Sequence, residues 1–425
     1  MVQKILARAS GRDWVAPGEY VSCVPDYVVT QEMQWPTHKR NLEKIGAPLH
    51  SPEKAIIVID HTPAAATGSL HAKTHHMLKE LTQSLGVENF YGPNTGLRHL
   101  VLTERGYARP GMLIFSDEGN IASIGVVGAL NIPMSTDVLA PLLKGEHWVH
   151  VPKTARIRLE GSLAPGVTAR DLIQTIIRDH ERAGTFLQCC IEYVGPAIAE
   201  LSIDDRQTIL ASSFHTGSDT AIMAIDEKAE AYAQARADGR PYWLLDSDPD
   251  AEFCVELTYD LSSLVPMVTV PPTQDGAVDV ATVVGRRIDQ ASIGSCANNR
   301  LDDLRAAASV LRGKRIARHV TMYISPGSQN VYAAAAREGL LEIFAEAGAT
   351  VLSPGCNTCW GYLGVLSGED VSITTHQFNY QGRNGSSDAL VYLASPYTVA
   401  ASAVAGEITD PRVALAALAE EPSHV

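Results

Sequence analysis

The chain predicts an α/β protein with mostly parallel sheets, and three observations lead there. Apolar runs of strand length, such as Ala55-Ile56-Ile57-Val58-Ile59, have the continuous hydrophobicity of strands buried on both faces. In the last third, strand and helix alternate: strand at 291–293, helix at 301–311, strand at 321–324, helix at 330–347, strand at 350–352. That order implies a parallel sheet with helices on its faces. Finally, 425 residues exceed one ordinary core, so roughly two to four domains are expected.

Taken in order, 2–11 has a short helical pattern, followed by a turn at Pro17-Gly18. The run 55–59 delivers Asp60-His61 at its C-terminal end, where open α/β sheets place ligand-binding groups. A helix is expected over 71–85, stopped by Gly86, then a loop opening at Val101 and closing at Pro110-Gly111. A second buried strand at 112–115 leads into Ser116-Asp117-Glu118-Gly119-Asn120, and the small residues of 121–130 suit close packing beneath a site. A strand is expected at 155–160. An amphipathic helix follows at 168–183, with Leu172, Ile173, Ile176 and Ile177 on one face. The composition change at 246–250, with Pro266, Pro271 and Pro272 beyond it, reads as a linker. The helix at 301–311 has Asp302 and Asp303 in its first turn and Gly313 past its end, and that at 330–347 is stopped by Gly348.

The apolar fraction of 45% and charged fraction of 19% are those of a soluble globular protein. A net charge of −14 with no basic stripe argues against binding nucleic acid, while small acidic substrates stay open because a pocket can be cationic inside an acidic protein. The first thirty residues carry charges throughout, which is not a signal peptide. The longest apolar candidate for a membrane span, 391–406, is broken by Ser395, Pro396 and Thr398. No membrane partner is expected, and a cytoplasmic location is. Seven cysteines are too few and too odd for a disulfide framework. Cys23, Cys189, Cys190 and Cys254 read as ordinary buried or half-buried thiols.

The chemistry concentrates in Gly294-Ser295-Cys296 and, about sixty residues later, Pro354-Gly355-Cys356-Asn357-Thr358-Cys359. A cysteine directly after a strand and before a helix, plus a C-x2-C pair on another loop, offers three thiolates to one iron–sulfur cluster. One iron is then open to act as a Lewis acid. Backbone N–H groups around Gly294 and Ser295, with the following helix N-terminus, would favour such an anionic group. A zinc site or three unrelated thiols remain alternatives on spacing alone, although no fourth ligand stands nearby to complete structural zinc.

These residues resemble a known family. Ile293-Gly294-Ser295-Cys296-Ala297-Asn298-Asn299-Arg300-Leu301-Asp302-Asp303-Leu304-Arg305 is similar to the first cluster-ligand segment of the aconitase superfamily, closest to the large subunits of isopropylmalate and homoaconitate isomerases. The C-x2-C segment resembles the second. The likeness extends through Gln381-Gly382-Arg383-Asn384-Gly385, Ser395-Pro396 and Asp410-Pro411-Arg412. Upstream it includes Lys4-Ile5-Leu6-Ala7-Arg8-Ala9, Asp60-His61, Gly96-Leu97-Arg98-His99 and Pro110-Gly111-Met112. It implies three α/β/α domains, over 1–155, 156–285 and 286–425, around a central cluster site. It also implies a [4Fe-4S] cluster held by Cys296, Cys356 and Cys359 with one iron open to a substrate hydroxyl and carboxylate. Asp60 and His61 would handle the leaving hydroxyl, His99 would be a second proton carrier, and Arg383 would anchor a carboxylate. Asn298 falls in the matched segment as a substrate contact. Outside the resemblance, an Asp-His pair at a strand end is more often a hydrogen bond than a catalytic pair, a single histidine such as His99 fares no better, and a single arginine such as Arg383 is most often a solvated surface charge.

Departures from the pattern are as informative. Glu118-Gly119-Asn120 stands where the family has Asp-Ser-His, which keeps a carboxylate but replaces an exchangeable imidazole with an amide. His215 stands where the family has the glutamate paired with the histidine at the place of His99, and Ala211 replaces an asparagine. Phe378 occupies an arginine's place, trading a carboxylate fork for apolar contact. The resemblance thus implies a large subunit of a dehydratase or isomerase acting on a 2- or 3-hydroxy acid other than the standard tricarboxylates or isopropylmalate. A cluster-dependent lyase without rehydration and a catalytically silent cluster-binding homologue are the rivals. Nothing in the chain resembles the family's swivelling domain, which supplies a serine base and another arginine, so a separate small subunit carrying it is expected as partner.

Overall fold

The computed structural model describes residues 1–63 and 68–420. Contacts gather the chain into two compact units, Met1–Leu159 with Gly184–Tyr259, and Glu160–Ala183 with Asp260–Val425.

The first unit holds a five-stranded sheet in the order Asn89–Tyr91, Ala55–Val58, Tyr27–Gln31, Leu113–Ser116, Leu130–Pro133, all neighbours parallel. Its three central strands are almost wholly buried, which is why they read as unbroken apolar runs. Ile57, Ile59, Leu113 and Phe115 share one core with Trp35 and Leu78. The register, with Gln31 opposite Val58 and Val29 opposite Ser116, brings the C-terminal ends of these strands to one edge. There the chain leaves the sheet at Glu32, Asp60 and Asp117. A second sheet has Thr220–Met223, Cys189–Val194 and Lys153–Glu160 in parallel, with Val255–Asp260 at its edge. Strands Tyr20–Cys23 and His147–His150 form an antiparallel pair.

Helices Val2–Ser10 and Ser69–Leu85 end on Gly11 and Gly86, both left-handed. The loop expected from Val101 begins later, because Arg98–Glu104 is a helix with residues 98–103 buried. Seven residues without a side-chain cap leave little local signal, and burial decides. The run expected to pack closely is a buried 3₁₀ helix, Gly119–Val127. A Cβ on Gly119 would sit 2.1 Å from the Phe214 ring, so only glycine fits there.

In the second unit a seven-stranded sheet runs Ala277–Asp279, Met267–Thr269, Leu390–Ala394, Val371–Thr374, Gln290–Ile293, Thr321–Ile324, Thr350–Val351. The last five are parallel and the first two antiparallel. Helix Ala169–His180 starts on a capping box, Thr168 with Asp171, and stops three residues short of the expected end. Leu301–Leu311 matches its expected bounds. The helix expected over 330–347 is two, Gln329–Arg337 and Leu340–Ala347, because Gly339 turns left-handed between them at φ 72°.

The expected linker has no helix or strand at 246–250, but sheet follows beyond it. Val255–Asp260, Met267–Thr269 and Ala277–Asp279 are strands, and prolines 266, 271 and 272 flank them rather than interrupt them. Val255–Asp260 alternates between half-buried and exposed positions, so its apolar content is too low to announce it. The run 391–406 divides into strand Leu390–Ala394 and helix Pro396–Ala405. Among the described residues no helix is long and apolar enough to cross a membrane.

Candidate active site

At the sheet edge of the first unit, Asp60 and His61 follow strand Ala55–Val58 and are both buried. Their loop is held by Glu32, fully buried at the end of the neighbouring strand. Glu32 accepts the backbone N–H groups of Asp60 at 3.1 Å, His61 at 2.9 Å and Thr62 at 2.7 Å, and the Thr62 hydroxyl at 2.9 Å. His61 Nδ1 lies 2.7 Å from Asp60 Oδ1. Burial works to raise the Asp60 carboxyl, but the Arg98 guanidinium and His61 prevail and hold it below the usual range. Burial works to lower the imidazole, yet Asp60 carries His61 up to about 9. At neutral pH the pair is therefore a carboxylate holding an imidazolium.

Arg98, from the same short helix as His99, is the centre of the charges. Its Nη1 is 3.0 and 3.1 Å from the two oxygens of Asp60, and its own N–H donates to Asp60 Oδ2 at 3.0 Å. Its Nη2 is 3.1 Å from Asp117 Oδ1 and hydrogen-bonds Glu118 Oε2. The other oxygen of Glu118 is 2.8 Å from His99 Nε2. Burial works to raise Glu118, but Arg98 and His99 hold it far below the ordinary carboxylate range. Asp117 goes the other way: burial pushes its carboxyl up, although Arg98 and the Gln31 amide oppose this. Nδ1 of His99 is buried with no hydrogen-bond partner among the described residues. Asn120 and His215 form a neighbouring pair, Nδ2 to Nε2 at 3.1 Å, and Asn120 also donates to the Ala211 carbonyl at 2.7 Å. His215 is thus placed beside Asn120, whereas the histidine at Glu118 is His99.

The cysteines lie in the second unit. Seven residues separate the strand that ends at Ile293 from helix Leu301–Leu311, so Cys296 lies after the strand and before the helix, as expected. The intervening turn is fixed by side chains. Gly294 N–H donates to Thr375 Oγ1 at 3.0 Å, Ser295 Oγ donates to the Thr375 carbonyl at 3.1 Å, and fully buried Arg300 donates to the carbonyls of Ala297 at 2.8 Å and Cys296 at 3.0 Å. Gly294 at φ 148° permits the corner, and a Cβ there would meet Ser325 Cβ at 2.6 Å. Asn298 donates to Asp303 Oδ1 at 2.8 Å, which spends one face of its amide on the helix start.

Cys356 and Cys359 bracket a 3₁₀ turn, with Cys359 N–H donating to the Cys356 carbonyl at 3.0 Å. Thr358 anchors that turn to the Cys296 strand, since its Oγ1 lies 2.7 Å from Ser292 Oγ and 3.0 Å from His376 Nε2. Gln377 joins both loops: its side chain donates to Cys296 Sγ at 3.4 Å and its N–H to Cys359. The hydrogen bond from Cys356 is the largest influence holding the Cys359 thiol well below its usual range, against burial. Arg383 donates from Nε to the Cys359 carbonyl at 2.9 Å and from Nη1 to Tyr380 Oη at 2.8 Å. Buried Arg170, lowered to about 10 by burial despite nearby Asp171, Cys296 and Cys359, donates to the His376 carbonyl at 2.7 Å.

Cys296 and Cys359 joined through Gln377, with Cys356 hydrogen-bonded to Cys359 and two guanidiniums nearby, suit an anionic thiolate-bound cluster. The buried Asn384 Oδ1 has no partner among the described residues, so polar capacity is left in the wall of the cysteine loop. The donor set fits the expected cofactor.

Of the remaining cysteines, Cys254 is exposed rather than buried or half-buried, with its Sγ 3.4 Å from that of Cys189. Sequence reasoning gave no role to Glu32, Arg98, Arg170, Arg300 or Gln377. Arg98 and Arg300 lie inside motifs already singled out, and Gln377 stands next to Phe378 in another; Glu32 and Arg170 act across long stretches of chain that no local pattern marks.

The family model described as Aconitase family (aconitate hydratase) matches residues 3–406. The chain is 37% identical over 418 residues to 3-isopropylmalate dehydratase large subunit 1 of Methanopyrus kandleri, covering 97% of this chain and 98% of that one. It is 37% identical over 414 residues to the probable 3-isopropylmalate dehydratase large subunit of Methanothermobacter thermautotrophicus, covering 96% and 98%. Among solved structures, the holo-form of Thermococcus kodakaraensis aconitase X superposes with a TM-score of 0.52 at 13% identity over 84% of each chain, a likeness of fold. Coverage at both ends of the chain and identity at this level leave one conclusion: the chain belongs to the aconitase family, as a hydro-lyase or isomerase that uses a [4Fe-4S] cluster.

Proposed function

We propose that this chain is the large subunit of a two-subunit hydro-lyase for a 2- or 3-hydroxy acid other than the standard tricarboxylates or isopropylmalate, working in the cytoplasm. Cys296, Cys356 and Cys359 hold the cluster, and the observation that carries this is the bridge of Gln377 between the two cysteine loops. The bound cluster supplies Lewis-acid polarisation of the substrate hydroxyl through an iron with no protein ligand.

The residues of the chain supply the proton chemistry and the binding. With Asp60 ionised and accepting from Nδ1, His61 presents Nε2–H as the acid that protonates the departing hydroxyl. Glu118, kept ionised by Arg98, orients His99 as the second proton carrier. Arg383 remains a cation, raised by Cys359 and Tyr380 against the effect of burial, and binds a substrate carboxylate. Phe378 replaces a second guanidinium with a ring, so the acid it meets carries an apolar group there. Asn298 and Asn120 complete the polar contacts.

The relatives are named large subunits, which supports a small-subunit partner bringing the base that this chain lacks. The test is turnover of a panel of 2- and 3-hydroxy acids in ¹⁸O water by the reconstituted chain with and without a small subunit. Isomerised acid containing solvent oxygen supports the proposal. An unsaturated acid that accumulates without rehydration supports the rival lyase, which Asn120 favours because an amide cannot return a proton. No turnover of any hydroxy acid by either preparation rejects both.

A further inference from the structure

We propose that Arg98 is the positioning residue that binds Asp60-His61 and Glu118-His99 into one charged unit, so that removing its guanidinium unsettles both imidazoles. The inference rests on the proton-handling roles given above, and its test separates the two.

Two carboxylates are each clamped between Arg98 and a histidine. Asp60 receives Nη1 and the main-chain N–H of Arg98 on one side and His61 Nδ1 at 2.7 Å on the other. Glu118 receives Nη2 of Arg98 on Oε2, while His99 Nε2 stands 2.8 Å from Oε1. Arg98 and His99 are consecutive in the helix and converge on that one carboxylate. Asp117 adds a third acidic group 3.1 Å from Nη2. Arg98, Asp60 and Asp117 are fully buried, so water screens their charges little, while Glu118 keeps 26% of its side chain exposed. Among the described residues Arg98 is also the one permanent cation that bonds them: histidine charge depends on a proton that catalysis moves.

Charge alone does not explain the arrangement. One planar guanidinium spans carboxylates on separate strand ends with two nitrogens held in fixed geometry, whereas a lysine ammonium reaches one of them. Without Arg98, the buried Asp60 and Asp117 and the partly exposed Glu118 face each other, and at least one of the buried pair takes up a proton. A protonated Asp60 no longer holds His61 in the Nδ1–H form with Nε2 directed outward, and a protonated Glu118 releases His99. The cysteine loops are built by other residues, so cluster binding does not depend on Arg98.

The experiment compares wild type, Arg98→Lys and Arg98→Met as the complete chain, reconstituted with iron and sulfide and, where required for turnover, with the small subunit. The first readout is the downfield ¹H–¹⁵N resonance of the His61 Nδ1–H in histidine-labelled protein, assigned by its loss in His61→Asn. The second is the division between kcat and KM, with iron content as control. The expected result is a resonance lost in Arg98→Met and kept in Arg98→Lys. With it, kcat falls about 1,000-fold in Arg98→Met and about 30-fold in Arg98→Lys, KM changes less than about threefold, and iron content is unchanged. Wild-type resonance and kcat in Arg98→Met overturn the proposal. If Arg98→Met does not fold, Arg98→Lys decides: kcat within about threefold of wild type refutes the two-carboxylate role. The resonance needs no substrate, so its loss in Arg98→Met upholds the role of Arg98 even if no hydroxy acid is turned over, an outcome that would defeat only the assigned reaction.

Discussion

The guanidinium carbon of Arg383 lies 4.8 Å from the centre of the Phe378 ring, with the rings of Trp360 and Tyr380 at 4.4 and 5.4 Å from the same carbon. Three rings around one cation fix its direction and leave an apolar border beside it. Phe378→Arg sets a second guanidinium against the first and places charge where the substrate is apolar. We expect kcat/KM for the native acid to fall at least about tenfold, or about 1.4 kcal/mol of transition-state stabilisation. Unchanged steady-state kinetics would remove Phe378 from the binding surface.

Glu32 gathers four hydrogen bonds from three consecutive residues, so its carboxylate is the template for the loop that presents His61. Glu32→Gln keeps the shape but turns one oxygen acceptor into a donor facing N–H groups. A loss of about 2–4 kcal/mol in unfolding free energy is expected from denaturant titration. A loss below about 0.5 kcal/mol would show that the loop holds itself.

His61 makes stability depend on pH in a defined direction. Its imidazole rises from 6.5 in the unfolded chain to about 9 in the folded one, chiefly through Asp60 acting against burial. Protonation therefore favours the folded state. The contribution is complete below about pH 6.5, declines between 6.5 and 9, and is absent above. The difference in unfolding free energy between wild type and His61→Asn should shrink across that window. A difference that stays constant or grows would reverse the assignment of charge to this pair.

Much of this architecture is legible in the sequence, and what is not has physical reasons. Helix Leu301–Leu311 was readable to the residue because Asp302, Asp303 and Gly313 mark its ends. Helix Arg98–Glu104 carries no cap and is short, so packing determines it. The helix expected over 330–347 runs through Gly339, which is a left-handed turn between two helices. The site divides in the same way. Spacing and family likeness single out the cysteines, but Glu32 reaches Asp60 across 28 residues and Gln377 reaches Cys296 across 81. Contacts at such separations exist only once the sheets have formed.

Gly294 offers a test of the cysteine corner that leaves every sulfur in place. Gly294→Ala forces a Cβ to 2.6 Å from Ser325 at a φ that alanine rarely adopts. Iron bound after reconstitution should fall by more than half, with Cys296 still present. Full iron content would mean that the corner has room to shift.

The account depends most directly on the three cysteines sharing one cluster. Anaerobic reconstitution of wild type and of Cys296→Ser, Cys356→Ser and Cys359→Ser, followed by iron and acid-labile sulfide analysis, measures this. The account predicts about four irons and four sulfides per wild-type chain with broad visible absorbance, and loss of most of both in each variant. Variants that keep wild-type iron, sulfide and absorbance would contradict it.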